Sequence, residues 1–166
     1  LMTEYLFEQG FTKMAYVGSI HATSSIMDRY CGFYKAQLEH GQILPEEWLI
    51  EDRDEKGSTH IKLPQHMPEA FVCNCDLTAE ILILELEKQG YRVPEDISVV
   101  GFDNYLYPGF PDKKITSYEV NTLVMVKVAL EKALKQIKNP DSGRGLSIVS
   151  GKIVEKESVQ KSCRES

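Results

Sequence analysis

The sequence predicts an α/β fold: a three-layer open parallel sheet with helices on both faces. Three observations carry this. Short apolar runs of strand length recur, such as Met14-Ala15-Tyr16-Val17 and Phe71-Val72-Cys73, and near-continuous apolar character is what a strand covered on both faces requires. Between them lie stretches with apolar residues at three- and four-residue spacing, closed by Gly10, Gly41 and Gly90, the positions where helices stop. Strand–helix–strand repeats of this length imply right-handed crossovers in a parallel sheet. With 166 residues the chain has material for one proper core.

The elements read in order as follows. Residues 1–9 form the end of a helix, with Leu1, Met2, Tyr5 and Leu6 on one stripe and Gly10 as its stop. Residues 14–17 are the first strand, ending at Gly18. Ser24 and Ser25 are of a type that caps helices, here a helix over 26–40 with apolar positions Met27, Tyr30, Cys31, Tyr34 and Leu38. Trp48-Leu49-Ile50 offers a second strand, and 52–67, charged and broken by Gly57 and Pro64, gives at most a turn or a partial helix. Phe71-Val72-Cys73 is the third strand. Asp76 stands where a cap belongs, before a helix over 77–89. Residues 97–102 are the fourth strand, and 115–120 read as extended. Asn121 caps a long amphipathic helix to about residue 137 that turns Val124, Val128, Leu130, Leu134 and Ile137 inward. Residues 146–149 and 153–157 suggest a closing hairpin at Ser150-Gly151, and the last five or so residues read as frayed.

Composition narrows the function. The net charge is −6 with no basic window, which argues against a phosphate-gripping surface here. The apolar runs fall far short of the roughly 20 residues that cross a bilayer, so no membrane partner is expected; no signal peptide is visible, which proves little because the segment can begin in mid-protein. Cys31, Cys73, Cys75 and Cys163 form no zinc pattern and read as reduced thiols of a cytoplasmic protein. His21, His40, His60 and His66 have no metal-ligand spacing. There is no phosphate-binding glycine loop and no nucleophile elbow, so neither an enzyme nor a cofactor is expected.

In open parallel sheets ligands sit at the carboxyl ends of the strands, which nominates 19–25, 51–54, 74–76 and 103–105. Thr23, Ser24, Ser25, Arg29, Asp54, Asn74, Asp76 and Asp103 gather there or nearby. A carboxylate that accepts two O–H bonds and an Arg fork that donates two N–H bonds suit the vicinal hydroxyls of a sugar. The competing roles are a structural ion pair for Arg29 and a loop-tying role for Asp103.

Three segments together resemble the effector-binding domain of the lactose-repressor (LacI/GalR) family of transcriptional regulators. They are residues 8–18 around Gly10 and Gly18, then Arg29-Tyr30-Cys31-Gly32-Phe33, and 72–104, ending in Pro94-Glu95-Asp96-Ile97-Ser98-Val99-Val100-Gly101-Phe102-Asp103-Asn104. Ile115-Thr116-Ser117-Tyr118 and 150–158 match the family's last crossover and closing strand. The resemblance implies a two-lobed, periplasmic-binding-protein-like (type I) fold. Residues 1–120 are then the C-terminal lobe, 121–145 a helix of the N-terminal lobe and 146–160 closing strands. The DNA-binding helix-turn-helix and most of the N-terminal lobe are expected to lie outside these residues.

By position the resemblance makes Arg29 and Asp103 effector ligands, with Ser25 and Thr23 as polar contacts. Asp54 falls where an aromatic ring often stacks on the ligand, Cys75 replaces a common Asn or small residue, and Asp76 matches either a cap or a ligand contact. It also implies a homodimer through the apolar helix carrying Ile81 and Leu82 and the loop with Tyr105, Tyr107 and Phe110. The function implied is small-molecule sensing for a repressor, the effector being a carbohydrate and DNA the partner of the absent part. The alternative is a solute-binding protein of a sugar transporter.

Overall fold

Alternation within the strands decides the layers. The computed structural model describes residues 1–54, 56–142 and 145–160. It has helix α1 (Met2–Glu8), strand β1 (Met14–Val17), helix α2 (Ser24–Glu39), strands β2 (Leu49–Ile50) and β3 (Ala70–Cys73), helix α3 (Asp76–Lys88), strands β4 (Ser98–Asp103) and β5 (Thr116–Glu119), helix α4 (Thr122–Lys138) and strand β6 (Lys152–Val154). The sheet order is β2-β1-β3-β4-β5-β6, parallel except for the antiparallel β5–β6 pair. Successive side chains of a strand point to opposite faces. Ala15, Val17, Phe71, Cys73 and Val99 therefore meet Ala79, Leu82, Ile83 and Leu86 of α3. Met14, Tyr16, Ala70, Val72 and Val100 meet α1 and Phe33 of α2 on the other side.

The amino-terminal edge of β4 is closed from the far end of the chain. Ser158 donates its hydroxyl to the Val99 carbonyl at 2.6 Å and accepts the Thr116 N–H at 2.8 Å, while its own carbonyl takes the Val99 N–H. These bonds fill the place beside β4 that β5, starting its pairing at Val100, leaves open.

Several expectations need correction. The cap of α2 is Thr23, whose hydroxyl accepts the Ile26 N–H, not Ser24 or Ser25. The face of α2 turned to the sheet holds Phe33, Ala36 and Gln37, whereas Cys31, Tyr34 and Leu38 are exposed. Asp76 lies inside α3 and Cys75 takes the cap position, because the Asp76 carboxylate is drawn away to other donors. Trp48 belongs to a 3-10 turn, Glu46–Trp48, and between β2 and β3 no helix forms among the described residues; Arg53 and Thr59 form one bridge. The closing hairpin is not made, since 146–149 is not a strand and β6 pairs with β5 instead. Cys163 and the last five or so residues, expected to be frayed, lie outside the described residues.

Helix α4 is capped by Asn121 as expected, but none of its residues is buried, and Leu130, Leu134 and Ile137 are 59%, 57% and 78% exposed. An apolar stripe of that size on a free helix promotes association. A protein of these residues alone is expected to scatter light as a dimer or larger, and a Leu130→Glu/Leu134→Glu double variant as a monomer. A monodisperse unmutated monomer would contradict this.

Candidate functional site

All the polar groups of interest sit at one edge because parallel strands end together. A hidden carboxylate organises that edge. Asp52, 3% exposed, leaves β2 and accepts bonds from the Ser19 N–H (2.9 Å), the Ser19 hydroxyl (2.6 Å), the Asn74 amide (3.2 Å) and the Thr78 hydroxyl (3.0 Å). It thus joins the ends of β1 and β3 to α3. Burial alone would raise its pKa, but these donors outweigh it and hold the carboxyl below its ordinary value. Gly18 makes the convergence possible, since a Cβ there would lie 2.6 Å from the Asn74 Cβ.

Next to this knot lies Arg29, one turn into α2. Its guanidinium donates to the Asn74 carbonyl at 2.6 Å, stands 3.8 Å above the Phe102 ring centre, and pairs with Asp103 at 3.8 Å. Stacking on a ring and one short bond fix the fork while leaving donors unspent. No hydrogen bond among the described residues reaches the Asp103 carboxylate, whose pKa is raised by burial and only partly restored by Arg29. A cavity of about 300 Å³ between the start of α1, α2 and the sheet is lined by Met2, Thr3, Arg29, Phe33, Phe102 and Tyr118, among others, and does not include Asp103. The arrangement offers an anchored donor fork and a free acceptor, which can bind a polar molecule that both gives and takes hydrogen bonds.

Asp76 faces the same edge from below. It accepts the Ser117 hydroxyl at 2.7 Å and the Tyr105 N–H at 2.8 Å. Burial pushes its pKa up to about 6 despite these bonds, with Asp103 adding to the rise. A raised carboxyl is protonated more readily in the folded chain, so this group's stability contribution falls as pH rises from about 4 to about 6. Between pH 4.5 and 7 the stability of Asp76→Asn relative to the native protein is expected to rise by about 2 kcal/mol, at about 1.4 kcal/mol per pKa unit. Urea unfolding at the two pH values measures this, and an unchanged difference would refute it.

The remaining predicted residues are placed as follows. Thr23 and Ser25 are exposed at the start of α2, their hydroxyls 3.1 Å apart. Asp54 is also exposed and ties its own turn by accepting the Lys56 and Ser58 N–H groups. Cys75, at the cap of α3, has its sulfur 3.5 Å from the Thr78 hydroxyl. Leu82 is fully buried against the sheet and is not open to a second copy, because its side of α3 faces inward, while Ile81 is half-buried. Tyr105 is 55% exposed and packs edge-on against Tyr107; Phe110 is half-buried. The Tyr107 phenol is pushed up to about 12, chiefly by burial, with Cys75, Asp103 and Asp76 adding to the rise.

Sequence reasoning named Asn74 among the strand-end polar groups and Tyr107 in the contact with a second copy, but missed Asp52 individually, although it falls inside the nominated 51–54 strand end, two residues after β2.

Comparison with known proteins bears on the family and the fold. Residues 3–159 match the family model for the periplasmic binding protein-like domain. The HTH-type transcriptional repressor PurR of Vibrio vulnificus is 29% identical over 97% of this chain, which corresponds to 50% of that protein; the chain spans about half the length of the curated relatives it matches. Among solved structures, a LacI-type regulator of Bacillus cereus subsp. cytotoxis superposes with a TM-score of 0.81 at 22% identity, covering 96% of this chain and 58% of that one. A LacI family regulator of Enterococcus faecium with bound ribose gives 0.73 at 18% identity, covering 96% and 61%. The chain belongs to the periplasmic binding protein-like domain family.

Proposed function

We propose that this chain is the ligand-sensing lobe of a DNA-binding transcriptional repressor. A small polar molecule binds at the carboxyl edge of the sheet, draws a second lobe onto it, and changes the spacing of DNA-reading heads in a dimer. The observation that carries this is the Arg29–Asp103 pair, anchored on Phe102 and Asn74 yet with hydrogen-bonding capacity unspent. Donor fork and acceptor together favour a carbohydrate, and the bound ribose in the Enterococcus neighbour supports that class. Arg29 and Asp103 are its main ligands, with Cys75 and Tyr107 at the rim.

Helix α4, unburied throughout, fits a place in the second lobe. Ile81 and the 105–110 loop fit the contact with a second copy. Such a protein acts on DNA in the cytoplasm and performs no chemistry. The repressors among the relatives support this over a transport role.

The test is calorimetric titration of the full-length protein with pentoses, hexoses, disaccharides and nucleobases, before and after Arg29→Ala. Binding of a sugar that Arg29→Ala removes is the expected result. Nucleobase binding alone would overturn the carbohydrate assignment, and binding unaffected by Arg29→Ala would overturn the site.

A further inference from the structure

Asp103 and Asn104 have φ of 101° and 51°, two consecutive left-handed residues at the point where β4 opens into the cleft. Non-glycine residues hold such a conformation only where their surroundings over-determine it. The ties are visible. The Asn104 N–H donates to the Ser117 hydroxyl at 3.0 Å, and its side-chain amide donates to Glu119 at 3.0 Å. The Ser117 hydroxyl in turn donates to one oxygen of Asp76, and the Tyr105 N–H donates to the other. Two of the four bonds end on a single carboxylate, 3% exposed. The opposing strand is cut to fit it: a Cβ on Gly101 would collide with Asp76 Oδ1.

We infer that Asp76 is the positioning residue of the cleft: its carboxylate locks the left-handed turn at Asp103 and Asn104, aims the Asp103 carboxylate at Arg29, and tethers the 105–110 loop to the same point. That the aimed group serves an effector rests on the function proposed above; the lock itself does not. Asp76 touches no ligand in this scheme, and acts through the backbone of its neighbours.

The lock is complete in the ionised form. Both Asp76 oxygens then accept; a proton on the one facing the Tyr105 N–H breaks that tie, whereas a proton on the other reverses the bond with the Ser117 hydroxyl. The groups facing Asp76 are Glu80 from α3, Asp103 from β4 and Lys156 beyond β6, with Asp112 and Lys113 acting on Glu80. Glu80 is itself buried, with one carboxylate oxygen lacking a partner among the described residues. Burial of the Asp76 carboxyl, with Asp103 adding to it, places the titration within reach of neutral pH.

The experiment is amide NMR on the isotope-labelled full-length protein without ligand, comparing the native chain with Asp76→Asn and Ser117→Ala. In the native protein the Tyr105 amide shift is expected to titrate with a midpoint of about 6, and the same signal to stay flat in Asp76→Asn. Hydrogen exchange at Tyr105 is expected to quicken by roughly tenfold or more in both variants, with the Arg29 Nε–H signal displaced. A flat native Tyr105 titration overturns the inference without any variant having to fold. Unchanged Tyr105 exchange and an unmoved Arg29 signal in both variants overturn it equally. None of these readings involves a ligand, so failure of the effector assignment would show only in the titrations with sugars and leave them intact.

Discussion

Asp52→Ala is expected to lower the stability of the protein by about 3–5 kcal/mol, more than any other single polar change in it. The carboxylate is all but sealed from water and receives four hydrogen bonds. Removing it leaves the Ser19 N–H and the Asn74 amide as buried donors with no acceptor, each costing about 1–3 kcal/mol. The Ser19 and Thr78 hydroxyls can turn elsewhere, which keeps the sum from being larger. Asp52→Asn should cost about 1–2 kcal/mol, since one acceptor oxygen remains. Urea unfolding at pH 7 measures both, and a loss below about 1 kcal/mol for Asp52→Ala would show that water replaces the carboxylate. The pH response separates this group from Asp76. The Asp52 carboxyl is held below its ordinary value, so its contribution is present above the ordinary carboxylate range and disappears on acidification. The contribution of Asp76 runs the other way.

Arg29→Ala is expected to weaken effector binding by about 100-fold or more, the equivalent of losing a charge-assisted bidentate contact of about 3 kcal/mol. The same change should cost only about 1–2 kcal/mol of folding stability, from one hydrogen bond and one cation–ring contact. Its side chain is 26% exposed and its pairing with Asp103 is long at 3.8 Å, so the fold does not lean on it. Arg29→Lys should recover little binding, because an ammonium neither lies flat on Phe102 nor presents a planar fork. Calorimetry for affinity and thermal unfolding for stability read the two effects separately. Equal losses in both, or affinity retained in Arg29→Lys, would contradict the assignment.

The sheet was legible because buried strands leave unmistakable apolar runs. Residues 14–17, 70–73 and 98–102 were found within a residue or two, since no other element needs that pattern at that length. Helices were legible by existence and less so by orientation. In α2 the exposed Tyr34 and Leu38 carry as much apolar character as the buried Phe33, so periodicity alone could not choose the inward stripe. Asp76 resembled a cap by type and place; its true partners, Tyr105 and Ser117, lie 29 and 41 residues away, and no local pattern reports them. Asp52 was obscure for the same reason, because its donors arrive from three separate segments. Arg29 and Asp103 could be placed at one edge from the strand-end rule, but the ring beneath Arg29 and the strained turn at Asp103 are tertiary facts.

The Ser158 tie at the foot of β4 bears on how the sheet is made. A nascent chain emerges from its amino end, and β1, β3 and β4 can dock as soon as each is released. Yet the Val99 N–H and carbonyl and the Thr116 N–H wait for a residue 59 and 42 positions further on. Until the ribosome delivers that serine, the centre of the sheet carries an open polar edge at its buried end, the kind of edge that recruits chaperones or a neighbouring chain. Completion of this sheet is thus late relative to the release of its central strands, sealed by a residue 59 positions after Val99.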